Sequence, residues 1–243
     1  MPRYFLELAY KGTTFHGFQI QENAHTVQSA IEQAMLTLYR ESIPLTGSSR
    51  TDAGVHARQN YFHFDTDLPI HSKHIYNLNA ILPTTISIQS LNRVADTAHC
   101  RFDAIAREYQ YYIYQYKDPF MQDRGWYYPL ELDIDLLQQA ANLLKEYTDF
   151  TSFAKRNAQV FTHNCNIESS QWEKTEESHY IYTVRANRFL RGMVRGLVGT
   201  MLKVGRKQIG IEALRNIIAA KDCTKADFST PPQGLFLSKV IYP

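Results

Sequence analysis

Strand and helix signals follow one another in the same order twice along the 243 residues, and this duplication limits the chain to few architectures. "RYFLELAY" near the start reads as a strand. Thr26 then caps a helix whose apolar positions Val27, Ile31, Met35 and Leu38 keep helical spacing. A strand at 43–48, a polar loop, and a strand at 59–65 follow. "SKHIYNLNAIL" gives a second helix with Ile75, Leu78 and Leu82 on one face, and "ISIQSLNRV" closes the first half. In the second half "REYQYYIYQY" is a strand and "DIDLLQQAANLLKEY" a helix with Ile134, Leu137, Ala141 and Leu144 inward. "NIESSQWEK" and "HYIYTVRAN" form a hairpin with "TEES" at its turn. A helix from Leu190 to Val204 ends at Gly205, placed as a C-cap. "GIEALRNIIAAK" adds one helix before the last strand, "FLSKVIY". Each half has the order β-α-β-β-α-β, the ferredoxin-like split βαβ plan with helices on one face of an antiparallel sheet. The expected fold is therefore α+β, with two such halves, residues 1–103 and 104–243, whose sheets adjoin. No long Gly, Ser or Pro linker separates them, so a cleft between docked halves is the expected place for a site.

Composition narrows the class. Hydrophobic residues make up 44% and charged residues 21%, a globular balance. No apolar run reaches the roughly 18 residues of a membrane span, and no basic–apolar–small leader opens the chain. Cys100, Cys165 and Cys223 are odd in number and form no CxxC pair, which suits reduced thiols in a cytoplasmic protein. His163 beside Cys165 finds no second pair to complete a zinc shell. His56, His63 and Asp65 lie close in sequence, but no HxxxH or acidic pair accompanies them. No metal is expected, and His56 reads as a loop-fixing residue.

Net charge is only +2, yet seven Lys or Arg residues and no acid lie between Arg185 and Lys207. Five tyrosines fall within "EYQYYIYQY". Cations for phosphates beside flat rings for bases suit a nucleic-acid binder; a solvated basic face and ordinary aromatic strands would look the same. Arg188, Arg191 and Arg195 fall at i, i+3 and i+7, a stripe if the whole stretch is helical. Gly192, Gly196 and Gly199 would leave such a helix open either to RNA backbone or to close packing.

The loop "SSRTDAGVHA", Ser48 to Ala57, carries the sharpest question. A turn accounts for Asp52, whose carboxylate can bond its own backbone, and for Gly54, which supplies positive φ. It does not account for Arg50. "SRTDAGVHA", "FHGFQIQ", "HCRFDAIAREYQYYIY", "DFTSF" at 149–153, "RFLRGMVRGLVGTMLKVG" and "GLFL", in this order, resemble the TruA family of tRNA pseudouridine synthases along the whole chain. The resemblance implies the pseudouridine synthase fold, isomerisation of uridine at positions 38 to 40 in the anticodon stem-loop of tRNA, no cofactor, and a homodimer. It selects Asp52 as the catalytic carboxylate and Arg195 of "MVRG" as its cationic partner. It also selects Tyr109 as the ring that stacks on the extruded uracil, and Arg50 as an aid to extrusion. On this reading Asp52, Tyr109 and Arg195 converge on one cleft, and Arg188, Arg191 and Lys203 meet RNA phosphates. Phe18, Ser49, Leu190, Arg191 and Gly192 depart from the family's commonest residues, and these departures bear on loop shape and RNA contacts. A noncatalytic RNA-binding protein with two RRM-like halves is the alternative; it lacks an RNP1 sequence and leaves the Asp52 loop unexplained.

Overall fold

A computed structural model describes residues 1–156, 160–175 and 179–243. The chain divides into two compact units: Met1–Ile105 together with Phe236–Pro243, and Ala106–Leu235.

The first unit runs β1 (Arg3–Tyr10), α1 (Val27–Tyr39), β2 (Thr46–Gly47), β3 (His56–Asp65), α2 (Lys73–Ile81) and β4 (Ile86–Val94). β1 lies between β4 and β3, antiparallel to both. β2 pairs with β3 antiparallel at Thr46↔His63, which completes the ferredoxin-like order, although β2 is far shorter than the strand expected at 43–48. Leu6, Leu8 and Tyr10 alternate inward along β1 with half-buried neighbours, as a sheet with one covered face requires. α1 starts where Thr26 predicts: the Thr26 side chain accepts from the Ser29 amide, and the Ser29 hydroxyl accepts from the Thr26 amide.

The closing strand β9 (Leu235–Ile241) departs from the sequence reading. Expected with the second half, it groups with the first, and it runs parallel to β3 at His56↔Phe236 and Ala57↔Leu237. Phe236 stacks on His56 at 4.5 Å, and the Tyr242 hydroxyl donates to the Cys100 carbonyl at 2.6 Å. Strand periodicity cannot show which neighbour a strand takes; the register with β3 does.

The second unit contains β5 (Ala106–Tyr114), β6 (Trp126–Tyr127), α3 (Ile134–Leu144), β7 (Ile167–Lys174), β8 (His179–Ala186), α4 (Met193–Gly205) and α5 (Ile211–Ala219). β8 pairs with β5 and β7, antiparallel to each, and the short β6 lies parallel to the end of β5. Asp133 caps α3 by accepting from the Leu136 amide, and Leu137, Ala141 and Leu144 are buried as the spacing predicts. The polar turn expected at 175–178 falls largely outside the described residues. Among the described residues, no helix is long and apolar enough to cross a membrane.

α4 corrects three expectations. It begins at Met193, three residues later than predicted, because Gly192 before it takes φ +75°, so Arg188 and Arg191 precede the helix and no helical stripe of arginines exists. Eleven of its 13 residues are buried, as suits a helix apolar nearly all round. Its glycines serve packing: a Cβ at Gly196 would lie 2.8 Å from Phe228, one at Gly199 2.4 Å from the Asp227 carbonyl, and one at Gly205 2.7 Å from Leu137. Gly205 is thus an in-helix contact to α3 rather than a C-cap, and the positive φ after the helix falls on Lys207.

Candidate active site

The loop from Ser48 to Val55 is pinned along its length. The Asn60 side-chain amide donates to the Ser49 carbonyl at 2.8 Å, and its oxygen accepts from the Ser49 amide. The Thr51 hydroxyl bonds the buried Tyr10 hydroxyl at 2.7 Å, and the Thr51 carbonyl accepts from the Phe18 amide. The Val55 amide donates to the Asp52 carbonyl across Ala53–Gly54, and Gly54 has φ +78°. Positive φ at the third position alone is the type II requirement that glycine meets without strain.

The segment after β1 presses on this loop. A Cβ at Gly12 would lie 1.9 Å from the Val55 carbonyl, and one at Gly17 3.2 Å from that of Thr51. His56 accepts the Gly12 amide at Nδ1, 3.0 Å away, which fixes both segments. Asp52 emerges from this frame half-buried, while Thr51 and Val55 on either side are buried. Such a frame presents a carboxylate at a set position with its charge still reachable. Arg50, two residues earlier, is exposed.

Phe18 and Ser49 acquire a physical account. Phe18 is 1% exposed and stacks on Phe62 at 4.5 Å, so this departure fills the core of the first unit instead of meeting RNA. The hydroxyls of Ser48 and Ser49 are buried without a hydrogen-bond partner among the described residues.

In the second unit, Tyr109 sits on β5 opposite Val184, 8% exposed, with the Phe189 ring edge-on at 5.1 Å. Arg195, in the first turn of α4, is half-buried. Its Nε donates to the Thr230 carbonyl at 2.6 Å, and the Thr230 hydroxyl donates back to the Arg195 carbonyl. Tyr111, two residues beyond Tyr109 on the same face, is fully buried and donates to the Pro231 carbonyl at 2.8 Å. Burial, the dominant effect, raises its pKa far above that of an ordinary phenol, and the nearby Arg195 charge opposes this. Tyr109 and Arg195 thus belong to one unit and Asp52 to the other.

The basic stretch is less cationic than its sequence. Lys203 pairs with Asp227 at 3.2 Å, Arg185 with Glu168 at 2.9 Å and Lys207 with Asp133 at 3.1 Å. All three acids lie outside residues 185–207, so no local count could have found them. Arg188 is half-buried and Arg191 exposed, both in the connection between β8 and α4.

One group of metal-ligand types occurs among the described residues: His63, His99 and Cys100, with ligand atoms within 4.8 Å of one another. The His99 Nδ1 accepts the amides of Arg101 and Phe102, so a neutral ring carries its hydrogen on the other nitrogen. His63 Nδ1 lies 3.2 Å from the Cys100 sulfur, which also donates to the Thr46 carbonyl. Burial lowers the His63 pKa to about 4 and keeps that ring neutral. These atoms form a hydrogen-bonded cluster that ties the segment after β4 to β3.

Comparison with known proteins bears on what this arrangement does. Residues 140–243 match the sequence profile of the tRNA pseudouridine synthase family. The chain is 44% identical over 245 residues to a tRNA pseudouridine synthase A of Parabacteroides distasonis, covering 100% of this chain and 97% of that protein. A tRNA pseudouridine synthase A of Porphyromonas gingivalis is 40% identical over 247 residues, covering 100% and 98%. One from Staphylococcus aureus strain MRSA252 is 36% identical over 241 residues, covering 98% and 91%. The mixed α+β architecture, a multi-strand sheet with five helices, is that of the pseudouridine synthase class. Within that class the chain belongs to the tRNA pseudouridine synthase family.

Proposed function

We propose that the protein isomerises uridine to pseudouridine at positions 38 to 40 of the tRNA anticodon stem-loop, with Asp52 as nucleophile or base. The observation that carries this reading is the loop itself: a half-exposed carboxylate on backbone held from Tyr10, Gly12, Gly17 and Asn60. The reaction breaks the N1–C1′ bond, turns the uracil and forms a C5–C1′ bond; C5 releases its proton and N1 takes one up. Atoms balance without water, oxidant or cofactor. Glycoside hydrolysis uses two carboxylates because water must be activated or a leaving group protonated; here the base is retained, and one ionised carboxylate suffices.

The remaining roles follow from chemistry. Tyr109 offers a ring to a uracil that has left the stack, and base–aromatic stacking returns about 1–3 kcal/mol. Arg195 supplies a cation for the anionic site, since an opposite charge keeps a carboxylate ionised. Its Nε bond to Thr230 holds the guanidinium in one orientation. Arg50 assists extrusion of the nucleotide, and Arg188, Arg191 and Lys203 meet phosphates, Lys203 by exchanging its pairing with Asp227. The protein acts as a homodimer in the cytoplasm. The binding-only alternative gives the framed Asp52 loop no role.

The test is Asp52→Asn, which keeps side-chain shape and the turn. With tRNA tritiated at uracil C5, label release is expected to vanish while tRNA affinity stays near wild type, the pattern of an interaction needed beyond the ground state. Release within about tenfold of wild type, a barrier change of only ~1.4 kcal/mol, would reject Asp52 as the catalytic carboxylate.

A further inference from the structure

The motif "DFTSF", 149–153, has no part in the chemistry above, yet it builds a cavity of about 350 Å³ in the second unit. Its walls are Thr151, Ala154, Lys155, Arg156, His163, Lys221, Asp222 and Cys223; three cations line it, Lys221 paired with Asp149 at the rim, against the single wall carboxylate of Asp222. We propose that this cavity seats a backbone phosphate of the tRNA, held by Lys155, Arg156 and Lys221. The proposal deepens the reading of the protein as a tRNA-modifying enzyme and rests on it.

The construction is specific. Asp149 accepts the Thr151 amide and hydroxyl at one oxygen and the Lys221 ammonium at the other, 2.8 Å away, which fixes the rim. The Ser152 hydroxyl donates to the Ile217 carbonyl at 2.6 Å and accepts the Asp222 amide at 3.0 Å, so the 3-10 turn and the chain after α5 form one piece. Phe150 and Phe153 of the same segment are fully buried. One oxygen of the wall's own carboxylate, Asp222 Oδ1, accepts the Thr224 amide and hydroxyl at 2.9 and 2.8 Å.

Lys155 is held where an incoming phosphate would find it. Its amide donates to the Arg191 carbonyl at 3.1 Å, and its aliphatic stem lies so close over Gly192 that a Cβ there would come within 2.9 Å of Lys155 Cγ. Gly192 therefore lets a lysine cross the backbone, which accounts for this departure from the family's common residue. The crossing joins the cavity to Arg191, already assigned to phosphate contact. The anchored stem lowers the side-chain entropy lost on binding. Cations on a polar rim, with no Phe, Tyr or Trp among the described lining residues, fit a phosphodiester better than a base.

The experiment uses the full chain with Lys155→Gln/Arg156→Gln, which removes charge while keeping the stem packing, and Lys145→Ala, an exposed cation elsewhere in the unit, as control. Binding of unmodified tRNA is measured against salt, together with KM and kcat for tritium release. The double variant is expected to lower the slope of log affinity against log salt by up to about 0.7–0.9, the share of the one phosphate seated there. KM should rise several-fold with kcat within about twofold, the signature of uniform binding. The Lys145 variant should match wild type. If wild type turns tRNA over but the folded double variant keeps its slope and KM, the phosphate seat is wrong. So is it if the cavity binds inorganic phosphate while tRNA binding ignores the substitutions. If wild type releases no tritium, the functional reading fails instead.

Discussion

Ser49 shows how a single side chain can work against its surroundings. Its backbone is satisfied at both ends by Asn60, but its hydroxyl is buried without a partner among the described residues. A buried polar group left unpaired opposes folding by about 1–3 kcal/mol, whereas a methyl group in the same space does not. Ser49→Ala is therefore expected to raise stability by about 1 kcal/mol in urea unfolding, with tritium release unchanged because the Asp52 turn is untouched. A loss of stability would show that an ordered water satisfies that hydroxyl. Gly12 illustrates the opposite demand: no local pattern marks it, and only the approach of the Val55 carbonyl reveals why a side chain cannot stand there.

At the level of the element, the segment around α4 and the Asp149 turn separates apparent from available charge. Arg191 projects from a connection and Lys203 shares Asp227, so the two should not contribute equally to RNA binding. Arg191→Ala is expected to lower the salt slope of tRNA binding by about 0.9, and Lys203→Ala by clearly less. Equal effects would mean that the Asp227 pair opens freely when RNA arrives. The Asp149 turn makes a prediction in acid. The Lys221 ion pair, first, and the Thr151 hydrogen bonds lower the Asp149 pKa to about 2, against an ordinary value of 3.8. A depressed carboxyl stabilises the fold fully above the ordinary value, and that contribution is lost as pH falls through the folded one. Asp149→Asn should thus flatten the stability profile between about pH 4 and 2. With the carboxylate 34% exposed, the change should be small, visible in acid melting curves rather than at neutral pH.

For the whole chain, the return of β9 to the first unit has the largest consequence. Residues 1–105 contain a complete ferredoxin-like order, yet β3 takes Phe236 and Leu237 along its edge, Gln59 accepts the Val240 amide, and Ile241 accepts the Ile105 amide. A fragment of residues 1–105 would expose that edge and lose the Phe236 stack on His56, whose Nδ1 fixes Gly12 beside the Asp52 loop. The fragment alone is expected to unfold without a cooperative transition, and joining residues 236–243 to it through a flexible linker should restore one. A fragment that melts cooperatively unaided would show β9 to be dispensable. The carboxylate loop is thus tied, through His56 and Phe236, to a strand far from it in sequence.

The sequence alone determined what depends on neighbours a few residues apart. Thr26 and Asp133 as helix caps, the inward faces of α1 and α3, the span of β4, and Gly54 in the Asp52 turn all follow from spacing and local hydrogen bonding. Its ordered motifs were enough to point to the family that the comparisons show. Only tertiary structure decided what depends on partners distant in the chain. Gly196, Gly199 and Gly205 became packing contacts because Phe228, Asp227 and Leu137 lie against them; Lys203 lost its free charge to Asp227; and Phe18 turned inward onto Phe62. β9 took its place beside β3 for the same reason. Periodicity gives the face a strand presents, but a strand's edge groups are satisfied by whichever backbone folding brings alongside, and that choice is written in no single segment.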